Sequence, residues 1–268
     1  MKLGFIGAGN MGSAIFKGFI AKGKVNSGDV YITRRNKAAM AAQAAELKIN
    51  ACDSYSDIIK ACDVVFLAVK PIMFKDVLSA IKADIKAKMP LIVSMAAGIS
   101  TADIEDMLDV KGVRVVRIMP NVNAQVAMSV TAYCGGKNAT DEDLSLVKEL
   151  FDSIGTTASV DEKQFAIFTA IAGCSPAYVY MFINSLAEGA LKAGMNKKQA
   201  IEIAAGAVMG SAKMVLESSM HPEVLNDMVC SPGGTTIEGV CTLKEQGFES
   251  AVINAVTQSI WKDAQLKK

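Results

Sequence analysis

Two short stretches gather the residue types that bind anions and hold a reacting group in place. The first is Gly7-Ala8-Gly9-Asn10-Met11-Gly12, a GxGxxG run between an apolar stretch at residues 2–6 and an amphipathic one at residues 13–22. A bare GxGxxG is a weak signal, but one flanked by strand and helix near a chain start reads as a dinucleotide cradle rather than a plain Gly-rich turn. Gly7 permits the tight turn, Gly9 lets backbone approach a pyrophosphate, and Gly12 lets helix and strand pack closely. The pyrophosphate then rests on free N–H groups at the positive end of the helix, so the segment assigned to the cofactor runs through Ile6, Gly7, Ala8, Gly9, Asn10, Met11 and Gly12.

The second stretch is Cys230-Ser231-Pro232-Gly233-Gly234-Thr235-Thr236. Two glycines beside three hydroxyls, ahead of a helix start, make a compact site for a carboxylate. A capped loop with threonine as N-cap explains one hydroxyl but not the cluster. Between the two stretches, a strand at 30–33 ends in Arg34-Arg35-Asn36. An NAD-preferring domain places an acid about 20 residues past the glycines, to bind the ribose 2′-OH. Here Thr33 and two guanidiniums stand there instead, a set suited to a 2′-phosphate. That favours NADPH over NADH; a solvated surface pair is the alternative.

The chain has 6 cysteines and 1 histidine. The cysteines form no CxxC pair, so a Cys/His zinc site is not expected and no metal is assigned. Buried, reduced thiols in a cytoplasmic protein are the plainer expectation. His221, just before Pro222, reads as a structural histidine at a helix start.

These segments need a scaffold. With 268 residues the chain holds one large domain or two modest ones, and its net charge of +1 offers no field for nucleic acid or an anionic membrane. The apolar share is 51% and the mean hydropathy +0.30, high for a soluble protein. Either a membrane or a second subunit must cover that surplus. Residues 199–216 read as the most apolar window, yet they include Glu202 and Lys213, and no stretch reads as an uninterrupted spanning helix. The start of the chain carries no signal-peptide pattern. A subunit interface is therefore expected.

Helices are expected at 37–47 and 57–61, and strands at 63–69, 91–95, 113–119, 126–134 and 157–160. Pro71 is placed to open a helix. Ala96-Ala97-Gly98 follow the 91–95 strand, and such small residues let a flat ring lie against the backbone at the carboxyl end of a sheet. This alternation predicts a doubly wound α/β domain. Beyond residue 161 the pattern turns helical, at 164–171, 176–193, 197–218, 223–229, 237–244 and 250–266. The expected division is 1–160 and 161–268. Small residues at Gly206, Gly210 and their neighbours permit close helix packing, within one subunit or between two.

In order and spacing, six segments resemble the pyrroline-5-carboxylate reductase family. They are GAGNMG at 7–12, FLAVKP at 66–71, RIMPN at 117–121, GCSPAY at 173–178, HPEVL at 221–225 and SPGGTTIEG at 231–239. The resemblance implies a Rossmann-like domain followed by an all-α dimerisation domain, as a homodimer or a decamer of five dimers. It implies hydride transfer from NADPH, with NADH as an alternative donor, to 1-pyrroline-5-carboxylate, giving L-proline. The cofactor would be held by the glycine loop, by Arg34 and Arg35, by Ala68, Val69, Lys70 and Pro71, and by Met95, Ala96 and Ala97. The substrate carboxylate would be held by Ser231, Gly233, Gly234 and Thr235, with Thr236 near the ring nitrogen as the catalytic residue. A protonated C=N is already electrophilic, so the protein must mainly align it.

Departures from the family pattern are Val122 and Asn123 after MPN, Ala127 and Ser129 where glycines are common, and Ser175 in the GSGPAY-like element. A β-hydroxyacid dehydrogenase shares the two-domain plan, but aligning its catalytic helix on Asn184 puts Tyr180 where that chemistry needs lysine. An NADPH-binding redox sensor would leave the Ser231–Thr236 cluster unexplained.

Overall fold

The computed structural model describes residues 1–265. Four short runs, each fully buried, build the centre of a sheet: β1 (Leu3–Ile6), β4 (Val64–Leu67), β5 (Leu91–Ser94) and β6 (Val115–Met119). Runs of this kind, apolar except for the buried Ser94 and Arg117, belong to parallel strands covered on both faces. β2 (Val30–Thr33) and the two-residue β3 (Asn50–Ala51) extend one edge, while β7 (Ser129–Gly135) and β8 (Gly155–Ser159) extend the other. The strand order is β3-β2-β1-β4-β5-β6-β7-β8. β1 pairs in parallel with both β2 and β4, so the winding reverses beside β1. β7 runs antiparallel to β6, and β8 parallel to β7.

Alternate side chains feed two cores. Leu3, Phe5 and Phe66 point to one face, where they meet Phe16 and Phe19 of α1 (Asn10–Ala21), Met40 of α2 (Lys37–Leu47) and Phe151 of α6 (Asp141–Asp152). Phe5 stacks on Phe66 at a centroid distance of 4.5 Å. Ile6, Val65 and Leu67 point to the other face, under α3 (Tyr55–Ala61), α4 (Phe74–Lys88) and α5 (Thr101–Leu108). Each fully buried aromatic or aliphatic side chain contributes about 1.5–3 kcal/mol. The fold class expected from the sequence is the one observed.

Several local expectations need correction. The 126–134 strand starts only at Ser129, because a 3₁₀ turn, Val122–Val126, closes on Ala127 with φ +55°. Ala127 thus holds a left-handed backbone, at a cost of about 1–2 kcal/mol. The helix expected at 164–171 divides into a 3₁₀ turn (Glu162–Gln164), α7 (Phe165–Phe168) and a π turn (Thr169–Cys174). The buried Asn121 amide donates to the Ala172 carbonyl in that π turn at 2.9 Å. Of the cysteines, only Cys52 and Cys62 are buried, and Cys241 is exposed. Burial pushes the thiols of Cys62 and Cys134 up to about 12, keeping both protonated at neutral pH.

By contact the described chain divides into one unit of Met1–Gly173 plus residues 260–265, and a second of Cys174–Ser259. The second holds α8 (Ser175–Lys192), α9 (Lys197–Ser218), α10 (Pro222–Val229), α11 (Thr235–Glu245) and most of α12 (Phe248–Gln265). Leu266, the last residue of the expected final helix, lies outside the described residues. Pro222 opens α10, and His221 caps it by accepting the Glu223 N–H at Nδ1, 3.2 Å away.

Within Cys174–Ser259 only Pro176, Ala187, Ala200 and Ala204 are buried, while Tyr180, Met181, Leu216, Met228 and Val229 are exposed. A Cβ built on Gly206 or Gly210 meets nothing within 4 Å among the described residues, so the small-residue stripe of α9 is uncovered at these two positions. The run Glu162–Lys192, with hydropathy 1.6, is long and apolar enough to cross a membrane by length and composition alone. This corrects the expectation that no stretch qualifies and that 199–216 is the most apolar: the charges of the run, Glu162, Lys163, Glu188 and Lys192, lie at or near its two ends and leave 164–187 uncharged.

Candidate active site

In Met1–Gly173, the residues expected to hold a dinucleotide converge on the carboxyl ends of β1, β2, β4 and β5. Gly7 has φ +108°, and a Cβ there would collide with the Ala68 carbonyl beyond β4. A Cβ on Gly12 would strike the Gly7 carbonyl, so α1 crosses close over the turn. Gly9 differs: a Cβ on it would meet nothing within 4 Å, which leaves open space above the start of the helix. Gly9 is the N-cap of α1, without a side-chain cap and without an acid in the first turn. The N–H groups of Asn10 and Met11 and the helix dipole are thus left for an external anion. Ile6 and Ala8 are fully buried beneath the turn, which they support from below.

The turn is braced from three sides. Gly7 N–H donates to Thr33 O at 3.0 Å and Ala68 N–H to Ile6 O at 2.9 Å. Ser13 Oγ donates to Ala8 O at 3.2 Å and accepts from Gln43 Nε2 at 2.8 Å. At the end of β2 the two arginines separate. Arg35 Nη2 contacts Met73 Sδ at 2.8 Å, whereas Arg34 has no hydrogen bond or ion pair among the described residues. Asn36 serves as the N-cap of α2, accepting the Ala39 N–H at 2.9 Å. Lys70 and Pro71 are exposed beyond β4, with Pro71 opening a 3₁₀ turn (Pro71–Met73). Met95, Ala96 and Ala97 follow β5, Ala96 being buried.

In Cys174–Ser259, the hydroxyl cluster forms a tight turn. Gly234 N–H donates to Ser231 O at 3.0 Å, with Pro232 second in the turn and Gly233 third at φ +67°. Proline then a left-handed glycine is the demand of a type II turn. A Cβ on Gly234 would collide with Ser231 Oγ, so glycine there lets the hydroxyl lie over the turn. The sequence placed Thr235 and Thr236 in the loop ahead of a helix at 237–244. They belong instead to the first turn of α11, whose N-cap Gly234 brings no side-chain cap. Ser231, Gly233, Thr235 and Thr236 are all exposed. One turn therefore presents a serine hydroxyl, two threonine hydroxyls and an uncapped helix start, a set that can receive a small carboxylate.

The family model for pyrroline-5-carboxylate reductase dimerisation matches residues 162–266, and one for NADP oxidoreductase, coenzyme F420-dependent, matches residues 2–98. The chain is 40% identical to the pyrroline-5-carboxylate reductase of Methanosarcina acetivorans over 267 residues, covering 100% of this chain and 98% of the relative. It is 42% identical to that of Escherichia coli, with the same coverage. The chain belongs to the pyrroline-5-carboxylate reductase family. Its structure resembles the Plasmodium falciparum pyrroline carboxylate reductase with NADP bound, at a TM-score of 0.89 and 31% identity, covering 100% of this chain and 98% of that one.

Within the reductase family the departures can now be placed. Val122 and Asn123 open the 3₁₀ turn after β6, and Ser175 starts α8. Ser129 is buried, accepting from Asn121 N–H at 3.3 Å and lying 3.0 Å from Thr131 Oγ1. Its hydroxyl is thus satisfied inside the wall of the domain. The α8 positions that a β-hydroxyacid dehydrogenase would use offer no base: Tyr180 is exposed, and Asn184 Nδ2 donates to Glu188 Oε1 at 2.8 Å. Sequence reasoning missed the group of Arg117, Glu162 and Thr101 beside β5, in which Arg117 and Thr101 are buried and Glu162 is partly exposed; its members lie 45 and 61 residues apart in the chain.

Proposed function

We propose that this chain reduces the C=N bond of 1-pyrroline-5-carboxylate with NADPH, giving L-proline. One observation carries the reading: two uncapped helix starts in one chain, each beside the groups its own anion needs. The start of α1 lies under the open space at Gly9, within the same unit as the unpartnered Arg34; that of α11 carries the Ser231–Gly234 turn. The first suits a pyrophosphate with a 2′-phosphate, the second a small carboxylate.

Bound NADPH supplies the hydride. Gly7 to Gly12 offer backbone to the pyrophosphate, and Arg34 offers a guanidinium to the 2′-phosphate. Ala68 to Pro71 and Met95 to Ala97 line the rest of the cofactor. Ser231, Gly233, Gly234 and Thr235 hold the substrate carboxylate with hydroxyl and backbone donors. Thr236 keeps a hydrogen bond with the ring nitrogen as its charge falls during reduction. A threonine is a poor general acid, so its part is orientation more than proton transfer. NADH serves as a weaker donor.

We assign residues 1–160 to the cofactor domain and 161–268 to dimerisation and substrate binding. The exposed face of Glu162–Lys192 and the α9 stripe meet a second copy of this chain rather than lipid, in a homodimer able to build a decamer of five dimers. The match of a dimerisation family to residues 162–266 supports this. A cytoplasmic setting is supported by 6 cysteines, none of them in a disulfide. Neither nucleic acid nor membrane has a part in this account, in line with the net charge of +1.

Light scattering at micromolar concentration without detergent should find a dimer or a multiple of it. A stable, active monomer contradicts the interface, and solubility only in detergent contradicts the choice of protein over lipid. For the activity, NADPH oxidation should depend on added 1-pyrroline-5-carboxylate. Oxidation that ignores this imine overturns the reading.

A further inference from the structure

We propose that Glu162 is a positioning residue: acting through Thr101, it fixes the turn between β5 and α5 that carries Met95, Ala96 and Ala97. The inference rests on the assignment of that turn to the cofactor. β5 ends at Ser94 and α5 begins at Thr101, so the turn hangs between those two points, with Gly98 at φ +76° inside it. Glu162 lies far along the chain, in the 3₁₀ turn after β8. Its Oε1 accepts the Thr101 N–H at 2.8 Å and Arg117 Nη1 at 3.0 Å, and its Oε2 accepts Thr101 Oγ1 at 2.9 Å.

Arg117 sits on β6 as the neighbour of Ser94, the last residue of β5. It is 2% exposed, lies 4.5 Å from the centroid of Phe165, and has no other ion pair among the described residues. Its Nε has no hydrogen-bond partner among the described residues. The guanidinium thus pins the carboxylate at one end of the β5–α5 turn, and the carboxylate pins the other. A second grip acts on the middle: Ala97 packs against the cluster of Met119, Ala132 and Phe165.

Local helix stability does not require this arrangement. α5 already has a capping box, in which Ser100 Oγ accepts the Asp103 N–H and Asp103 accepts the Ser100 N–H. An ion pair with one buried partner is also a poor means of gaining stability. What the three residues supply is a fixed turn, and small misplacements of a reacting group cost rate steeply.

Thr101→Val removes one contact to Glu162 and keeps the ion pair. It should lower kcat about tenfold, weaken NADPH about threefold and raise the primary isotope effect with deuterated NADPH. The KM for 1-pyrroline-5-carboxylate should stay within about twofold of the original, because the carboxylate site is on other residues. Glu162→Gln should do more, and should also lower the Tm by stranding the Arg117 charge. The double variant Glu162→Gln/Arg117→Met should regain Tm without regaining kcat or NADPH affinity. The proposal is overturned if the double variant recovers all three, or if Thr101→Val matches the original in kcat, isotope effect and NADPH affinity. Should the unmodified chain bind NADPH but reduce no imine, the assigned function falls, and NADPH affinity alone still decides for or against Glu162.

Discussion

Thr236→Ala is expected to lower kcat by roughly tenfold to a thousandfold, the effect typical of removing one positioned donor. The side chain sits in the first turn of α11, where the proposed substrate carboxylate is anchored one turn of backbone away. In the proposed pose the Thr236 hydroxyl donates to the lone pair that the nitrogen regains as hydride quenches the iminium charge, so the loss should fall on the transition state. Ser231→Ala should behave differently. Ser231 Oγ lies over Gly234, and the carboxylate proposed to bind there keeps its charge throughout, so removing the hydroxyl should cost ground and transition states alike. KM should rise and kcat should hold. NADPH affinity should hardly change in either variant, because the residues assigned to the cofactor belong to Met1–Gly173. Steady-state kinetics in both substrates separate the outcomes. Full kcat in Thr236→Ala, or lost NADPH binding in both variants, removes the signature turn from the mechanism.

Arg34→Asp is expected to weaken NADPH by about 1–3 kcal/mol and to leave NADH nearly untouched. The structure makes the two neighbouring arginines unequal. Arg35 is engaged with Met73 Sδ at 2.8 Å, whereas Arg34 has no partner among the described residues. Arg35→Ala should therefore cost less than Arg34→Ala. Titration of both nucleotides against the unmodified chain and the variants checks the order. Equal affinity for NADPH and NADH in the unmodified chain contradicts the role given to Arg34.

Elements with strong local signals were legible. α2 and α9 begin just after Asn36 and Asn196, whose side chains accept first-turn N–H groups, and both run over the residues expected. The two-residue β3 has no periodicity to read. The start of β7 was misplaced because Val126 and Met128 have strand-like side chains on a backbone that Ala127 turns left-handed. The threonines of the signature were placed in the loop because threonine favours the N-cap position just ahead of a helix. The Pro232-Gly233 turn outweighs that preference and starts α11 at Thr235.

The candidate site divides along the same line. The glycine loop and the hydroxyl turn are contiguous in sequence, and each glycine has a collision or an open space to explain it. The difference between Arg34 and Arg35 depends on Met73, which is 38 residues from Arg35. The Arg117–Glu162–Thr101 group is wholly a product of the sheet order, which sets β6 beside β5. No spacing rule within one helix or strand could reveal it.

The central claim is that NADPH hydride reaches the imine carbon of 1-pyrroline-5-carboxylate in this chain's site. It is tested most directly by supplying NADPH deuterated at the transferred position and analysing the product. The account predicts L-proline carrying one deuterium at the former C=N carbon for each NADPH consumed. Proline without that deuterium, or NADPH consumed with no proline formed, contradicts it.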